Sequence, residues 1–262
     1  MLELEVEFNN LLVTSASRWT ELLIEGRTWT NIALQNSAWQ ANIDRMRANG
    51  AAIAIFQSSD SDDNESVGAN ARVEPLIREQ TWSLWVTPER RRARFVVGDE
   101  IVDVVIEGLT FWSNGNGRSF TNGGRKNSSH GQGDGQNLLR TADYVGRLRV
   151  AELTDGTKCG RPTLDAKVEI LDNSGPEFGP DLHGLTIGDA DYLELSVDRE
   201  RGVLLSASSW LRGDVYRIVE MTRVEFDPNF DADAFIIQPE FGTQWTSAYS
   251  QLLWDCPHGA NT

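Results

Sequence analysis

Thr81-Trp82-Ser83-Leu84-Trp85-Val86-Thr87 is the stretch on which the fold class turns. Trp82, Leu84 and Val86 alternate with Ser83, Trp85 and Thr87, and a period of two sends the two sets to opposite faces of a strand. The pattern recurs outward along the chain. Val102, Val104 and Ile106 alternate with Asp103 and Glu107, with Val105 out of step. Leu164, Ala166, Val168 and Ile170 alternate with Asp165, Lys167 and Glu169, and Leu193, Leu195 and Val197 with Glu194 and Ser196. Each reads as a strand with one dry and one wet face. Glu107-Gly108, Arg201-Gly202 and Arg212-Gly213-Asp214 supply turns. A long strand over 215–226 changes parity between Ile218 and Val219, which predicts a bulge there. Roughly ten to twelve strands with short turns and no intervening helix predict an antiparallel meander, not a parallel α/β sheet.

Upstream, Leu4, Phe8, Leu11 and Leu12 predict a helix over 4–17. Trp19, Leu23 and Trp29 predict a strand over 19–29. Ile32, Leu34, Trp39, Ile43 and Met46 predict a second helix over 31–48, stopped at Gly50. A single sheet with one dry face must curl or be covered, and these helices are the available cover. The resulting division is 1–56, helices and first strand packed on the sheet; 57–79, an acidic linker; 80–240, the antiparallel half-barrel; and 241–262, a C-terminal tail. The linker core, 57–72, is polar and aperiodic. Asp60, Asp62 and Asn64 imitate the start of a calcium loop, but the turn glycine and closing glutamate are missing. The glycine-rich stretch 113–137 lacks a phosphate-loop pattern and reads as a long hairpin tip.

Thirty-nine acidic against 24 basic residues give a net charge of -15, which argues against a nucleic-acid partner and against docking on anionic lipid. A protein partner with a basic surface is compatible with it. No stretch has the length of a membrane span. The opening Met1-Leu2-Glu3-Leu4-Glu5-Val6-Glu7 is acidic where a secretory signal is basic and then apolar, so the expectation is a cytoplasmic chain, with a trimmed exported protein as the alternative. Whether Cys159 and Cys256 pair stays open.

The search for chemistry finds no constellation. None of His130, His183 and His258 has an i, i+4 histidine partner, and although Cys256-Pro257-His258 could give two ligands no second pair exists beyond Cys159, so neither a metal nor a cofactor is expected. Cys159, in Thr157-Lys158-Cys159-Gly160, sits in a turn before a strand, where Lys158 could lower the thiol pKa; an isolated strand-edge thiol is the plainer reading. The Arg90-Arg91-Arg92 run with Arg94 marks a hairpin tip after Pro88, with anion or partner binding as its alternative. The chain is therefore expected not to be an enzyme. Its nine tryptophans are the remaining signal. Trp82, Trp85, Trp112 and Trp210 fall on expected strands, where they either pack the core or line an apolar hollow with Leu84, Val104 and Ile106. Those seven residues are the candidate ligand-binding set.

The strand ending at Pro88 with Arg90–Arg94, followed by Val104-Val105-Ile106-Glu107-Gly108-Leu109-Thr110-Phe111-Trp112, resembles the strand, glycine turn and tryptophan strand of the LolA/RseB-like lipoprotein carrier superfamily. The stretch from Leu195 to Leu205 and the segments Val224-Glu225-Phe226-Asp227 and Asp233-Ala234-Phe235 share that likeness, which covers about residues 80–240. Within the superfamily the chain looks like a LolA-like protein of Gram-positive, actinobacterial type. The resemblance implies an α+β fold: a curved antiparallel sheet, or half-open β-barrel, under an N-terminal helical lid. It also implies non-catalytic binding of a lipid, an acyl chain or a lipidated or extended peptide in the concave face. The alternative on the same scaffold is a protein-interaction or regulatory module with a filled interior. No family ligand residue transfers position by position.

Overall fold

The computed structural model describes residues 2–48, 77–108, 110–115, 118–121, 133–171, 185–186, 188–238 and 246–247. Most of the acidic linker, most of the glycine-rich stretch, the three histidines and Cys256 lie outside the described residues.

The fold is α+β: a curved, unclosed, antiparallel sheet with helices on one face. Helix α1 (Leu2–Thr14) precedes strand β1 (Leu22–Asn31), which runs into α2 (Ile32–Ala48). Five strands follow: β2 (Ile77–Val86), β3 (Arg90–Val97), β4 (Glu100–Glu107), β5 (Thr110–Gly115) and β6 (Arg118–Thr121). After the short α3 (Gly133–Asn137) and a 3-10 turn at Thr141–Tyr144 come β7 (Leu148–Lys158), β8 (Arg161–Ile170), β9 (Tyr192–Asp198), β10 (Leu204–Leu211) and β11 (Asp214–Phe226). A further 3-10 turn, Ala232–Phe235, precedes β12 (Thr246–Ser247). Among the described residues one twelve-stranded sheet forms, in the order β12-β6-β5-β4-β3-β2-β1-β11-β10-β9-β8-β7. All neighbours are antiparallel except β12 with β6.

The simple meander expected from the turn signals is therefore broken once. The strands step outward from β1 to β6, and the chain then passes to β7 at the opposite edge and steps back to β11, which pairs with β1. The described residues of 113–137 hold the end of β5, β6 and α3 in place of one long hairpin tip. The bulge in the last long strand is also displaced. Register slips fall opposite Glu25/Gly26 and opposite Ser209/Trp210, on either side of the expected site. The buried pair Tyr216 and Arg217 and the exposed pair Thr222 and Arg223 mark these slips. The Arg90–Arg94 run lies on β3 itself, because the hairpin tip is Thr87–Glu89.

Alternation decides which side each residue takes, and register carries the assignment across the sheet. On the inner face, Leu164, Ala166 and Val168 of β8, Leu193, Leu195 and Val197 of β9, Ala207 of β10 and Val219 of β11 are buried in one cluster. Phe8, Leu11 and Leu12 of α1, with Leu138 and Tyr144 from the segment after α3, complete it. The acidic Glu3 and Glu5 in the first turn of α1 suit the positive end of its dipole. Helix α2 buries Ile32, Ala38 and Asn42 and leaves Trp39 54% exposed, so the tryptophan counted in its apolar stripe faces away from the fold.

Candidate functional site

Cross-strand register defines three rows on the inner face of β1–β5. The first runs Gly26, Trp82, Phe95, Val102 and Gly115; the second Ile24, Leu84, Ala93, Val104 and Ser113; the third Leu22, Val86, Arg91, Ile106 and Phe111. The candidate residues Trp82, Leu84, Val104 and Ile106 share this face. Trp85 and Trp112 do not. They stand on the outer face in the row Leu23, Trp85, Arg92, Val105 and Trp112, and Trp210 is outward too, paired with Tyr192. The seven residues therefore form no common lining.

Trp82 is the anchor of the inner face. It is 2% exposed, and its Nε1–H donates to Thr28 Oγ1 at 3.2 Å. A Cβ on Gly26 would lie 2.2 Å from the indole ring, and one on Gly135 of α3 2.4 Å from it. The ring is thus sandwiched between β1 and α3, with glycine on both sides because nothing larger fits. Sequence reasoning missed α3. Its Asp134 meets Arg217 of β11 at 2.5 Å, and this ion pair fastens the helix over Trp82. An arginine between Tyr216 and Ile218, at an inward position of an apolar strand, was the available signal.

The outer face sets charged groups among Trp85, Val105 and Trp112. Arg92 and Arg94 both bond the Asp103 carboxylate, at 3.2 and 2.9 Å. The Arg92 guanidinium also covers the Trp85 ring, 5.0 Å from its centroid. The segment after β11 crosses here: Arg92 donates to the Ala234 carbonyl and the Asn114 side chain to that of Gln238. A hollow of about 290 Å³ beside it is lined by Glu21, Pro88, Arg90, Phe230 and Phe235 among others. A second groove, about 410 Å³, lies on β7–β10 among Asp165, Lys167, Glu194, Ser196, Ser206 and Ser208. Tyr192 and Trp210 stack near it at 5.5 Å.

Cys159 occupies the left-handed turn joining β7 to β8, with φ 53°. Burial pushes its thiol up, against the pull of Lys158, and the Sγ–H donates to the Met221 carbonyl. Lys158 is drawn instead to Glu220 at 2.6 Å, so the activated thiolate allowed by the sequence is not the state of this turn. Burial alone would raise the Glu220 carboxyl; hydrogen bonds from Lys158 and Arg27 outweigh it and hold the group below the usual carboxylate range. Among the described residues no three His, Cys, Asp or Glu side chains converge as a metal site, and no helix is long and apolar enough to cross a membrane.

No family model matches the chain, and no curated protein matches it. Among solved structures it is similar to a crystal structure of MucB, at 13% identity and a TM-score of 0.47 over 89% of this chain and 62% of that one. It is similar also to the Pseudomonas aeruginosa MucA/MucB complex, at 15% identity and a TM-score of 0.44, covering 89% and 61%. A LolA superfamily protein of Nitrosomonas europaea gives 6% identity and a TM-score of 0.31, covering 89% and 97%. The chain spans about six-tenths of the length of the two MucB chains. These likenesses all lie below a TM-score of 0.5, so what the inner face does has to be read from the residues that line it.

Proposed function

We propose that the chain is a non-catalytic binding module that receives an apolar ligand (a lipid, an acyl chain, or a lipidated or extended peptide) on the inner face of β2–β5. One observation supports this reading above the others. Leu84, Phe95, Val102, Val104, Ile106 and Phe111 form a contiguous inner surface, interrupted by Arg91, in which Leu84, Val104 and Phe111 are buried and Phe95, Val102 and Ile106 half-buried, while the opposite side of the same strands mixes Trp85, Val105 and Trp112 with Arg92, Arg94 and Asp103. Of the principal helix contacts, α3 reaches this face at β2 as well as touching β1 and β11, whereas α1 packs on β7 and β9 and α2 on β1 and β11. An apolar face of this kind binds apolar chains without needing a reactive group. A Gram-positive bacterial setting belongs to the same proposal.

Native mass spectrometry of the purified protein, with organic extraction, tests it. The expected result is a co-purifying apolar molecule that is lost in Ile106→Arg on the inner face and kept in Ile101→Arg on the outer face. Absence of any such molecule, together with no binding of added acyl amphiphiles, would end the reading.

The second reading is a protein-interaction or regulatory module. The tight seat of Trp82 favours it, because that part of the inner face is filled core. It predicts a stoichiometric partner with a basic surface, whose binding Ile106→Arg leaves unchanged.

A further inference from the structure

Past Trp82, toward α2, the inner face turns from apolar to polar. Thr28 and Thr30 of β1, Arg78 and Gln80 of β2, Arg217 of β11, Gln35 of α2 and Asp134 of α3 surround a pocket of about 200 Å³. Its floor is built rather than incidental: Arg217 is 4% exposed, Thr28 4% and Thr30 3%. Burying a guanidinium and two hydroxyls is unfavourable unless each is hydrogen-bonded, and here they are. Arg217 Nη1 donates to Thr30 Oγ1 at 3.2 Å and Nη2 to Asp134 Oδ1 at 2.5 Å, while Trp82 Nε1 donates to Thr28 Oγ1.

The direction of these bonds fixes what the pocket lacks. Both threonine oxygens act as acceptors, toward Arg217 and Trp82, so each hydroxyl keeps its own hydrogen to give. Arg78 adds a guanidinium that forms no ion pair among the described residues, and Gln35 and Gln80 add amide N–H groups. Among the described lining residues one carboxylate, Asp134, stands against these donors, and it is already engaged by Arg217. Within that described lining, Arg78 and Arg217 against Asp134 leave a surplus of positive charge and of donors. A charged acceptor satisfies both.

We propose that this pocket receives an anionic head group, carboxylate or phosphate, whose apolar tail lies along the inner face of β2–β5. The inference rests on the proposed function above. The register Thr81 to Val96 sets Gln80 level with Val97, which follows Phe95 on the inner face of β3, so the polar pocket and the apolar rows are contiguous. The incoming anion competes with Asp134 for Arg217.

The test compares dodecanoate, dodecyl phosphate, the neutral 1-monododecanoylglycerol and inorganic phosphate, each titrated calorimetrically into the full chain. The two anionic amphiphiles are expected to bind at least about tenfold more tightly than the neutral one. Arg78→Gln should abolish that preference without weakening the neutral amphiphile, and Thr30→Val should reduce it. Asp134→Asn should strengthen anion binding by about tenfold, whereas a purely structural role for Asp134 predicts a loss. Equal affinity for anionic and neutral amphiphiles, or a preference untouched by Arg78→Gln, overturns the head-group site and leaves the apolar ligand standing. Phosphate binding that is sensitive to Arg78→Gln, with no amphiphile bound, upholds the anion pocket and sinks the apolar ligand. No binding of any of the four sinks both.

Discussion

At Gly26 the chain has no side chain because Trp82 occupies the space one would need. A Cβ there would come within 2.2 Å of the indole ring and 2.5 Å of the Glu220 carbonyl, and the second neighbour is backbone that cannot rotate away. Gly26→Ala is therefore expected to destabilise by about 1–3 kcal/mol, the usual cost of overpacking a filled site. Urea denaturation followed by intrinsic tryptophan fluorescence checks this, with a lowered midpoint and an unchanged slope; no shift would show that the ring has room. The identity of the anchor was legible in the sequence, since Trp82 falls on the dry side of the period-two run. The division of the other tryptophans was legible only in part. Trp85 alternates with Trp82 and had to face the other way, but which side of their strands Trp112 and Trp210 occupy depends on cross-strand register, and a single sequence does not supply it.

Among the elements, β1 and β11 are fastened at their ends by Asp227. Its carboxylate accepts from the backbone N–H and the hydroxyl of Thr20 and from the backbone N–H of Glu21, just ahead of β1. The Thr20 N–H, then its hydroxyl, then the Glu21 N–H lower the carboxyl from 3.8 to about 2. The folded-state value lies below the unfolded one, so the stabilisation from this group is complete above about pH 4 and is lost as pH falls toward 2. An NMR titration of the Asp227 side-chain carbon should give a midpoint near 2; a midpoint near 4 would mean that the clasp is open in solution. Strands β1, β2, β4, β8, β9 and β11 and both long helices announced themselves through their apolar spacing, whereas the arginine run of β3 reads as a turn and β6, β7 and β12 carry no such signal. The α3 stretch Gly133-Asp134-Gly135-Gln136-Asn137 could not: two glycines and no apolar period give no helical signal, and it is held by Trp82 and Arg217 rather than by propensity.

On the scale of the whole molecule, the central seam joins the two ends of the folded chain. Leu22 pairs with Phe226 and Thr30 with Arg217, so the strands at the middle of the sheet are separated by nearly the entire described sequence. Closing so long a loop precedes any return from the contacts it makes, and topologies of this kind fold slowly. Refolding monitored by stopped-flow fluorescence is expected to show its main phase in about the millisecond-to-second range. A dominant microsecond phase would show that the two halves acquire their structure without the seam. The sequence showed that a curved sheet would form, but not that its strands would be laid down from the centre to one edge and then from the opposite edge inward. Turn residues report what happens between neighbouring strands; the passage from β6 to β7 is governed by burial of Leu138 and Tyr144 against the distant core.

The rim at β7 has a consequence of its own. Among the described residues this eleven-residue strand ends the sheet, paired with β8 on one side, and such a border invites identical copies to stack upon it into filaments. Ala151 is skipped in the pairing with β8, which kinks the border, while Arg149, Glu152 and Asp155 stud it with charge. A twin stacked in parallel register would have to match the kink and set Arg149 against Arg149 and Glu152 against Glu152, which disfavours continued stacking along this border.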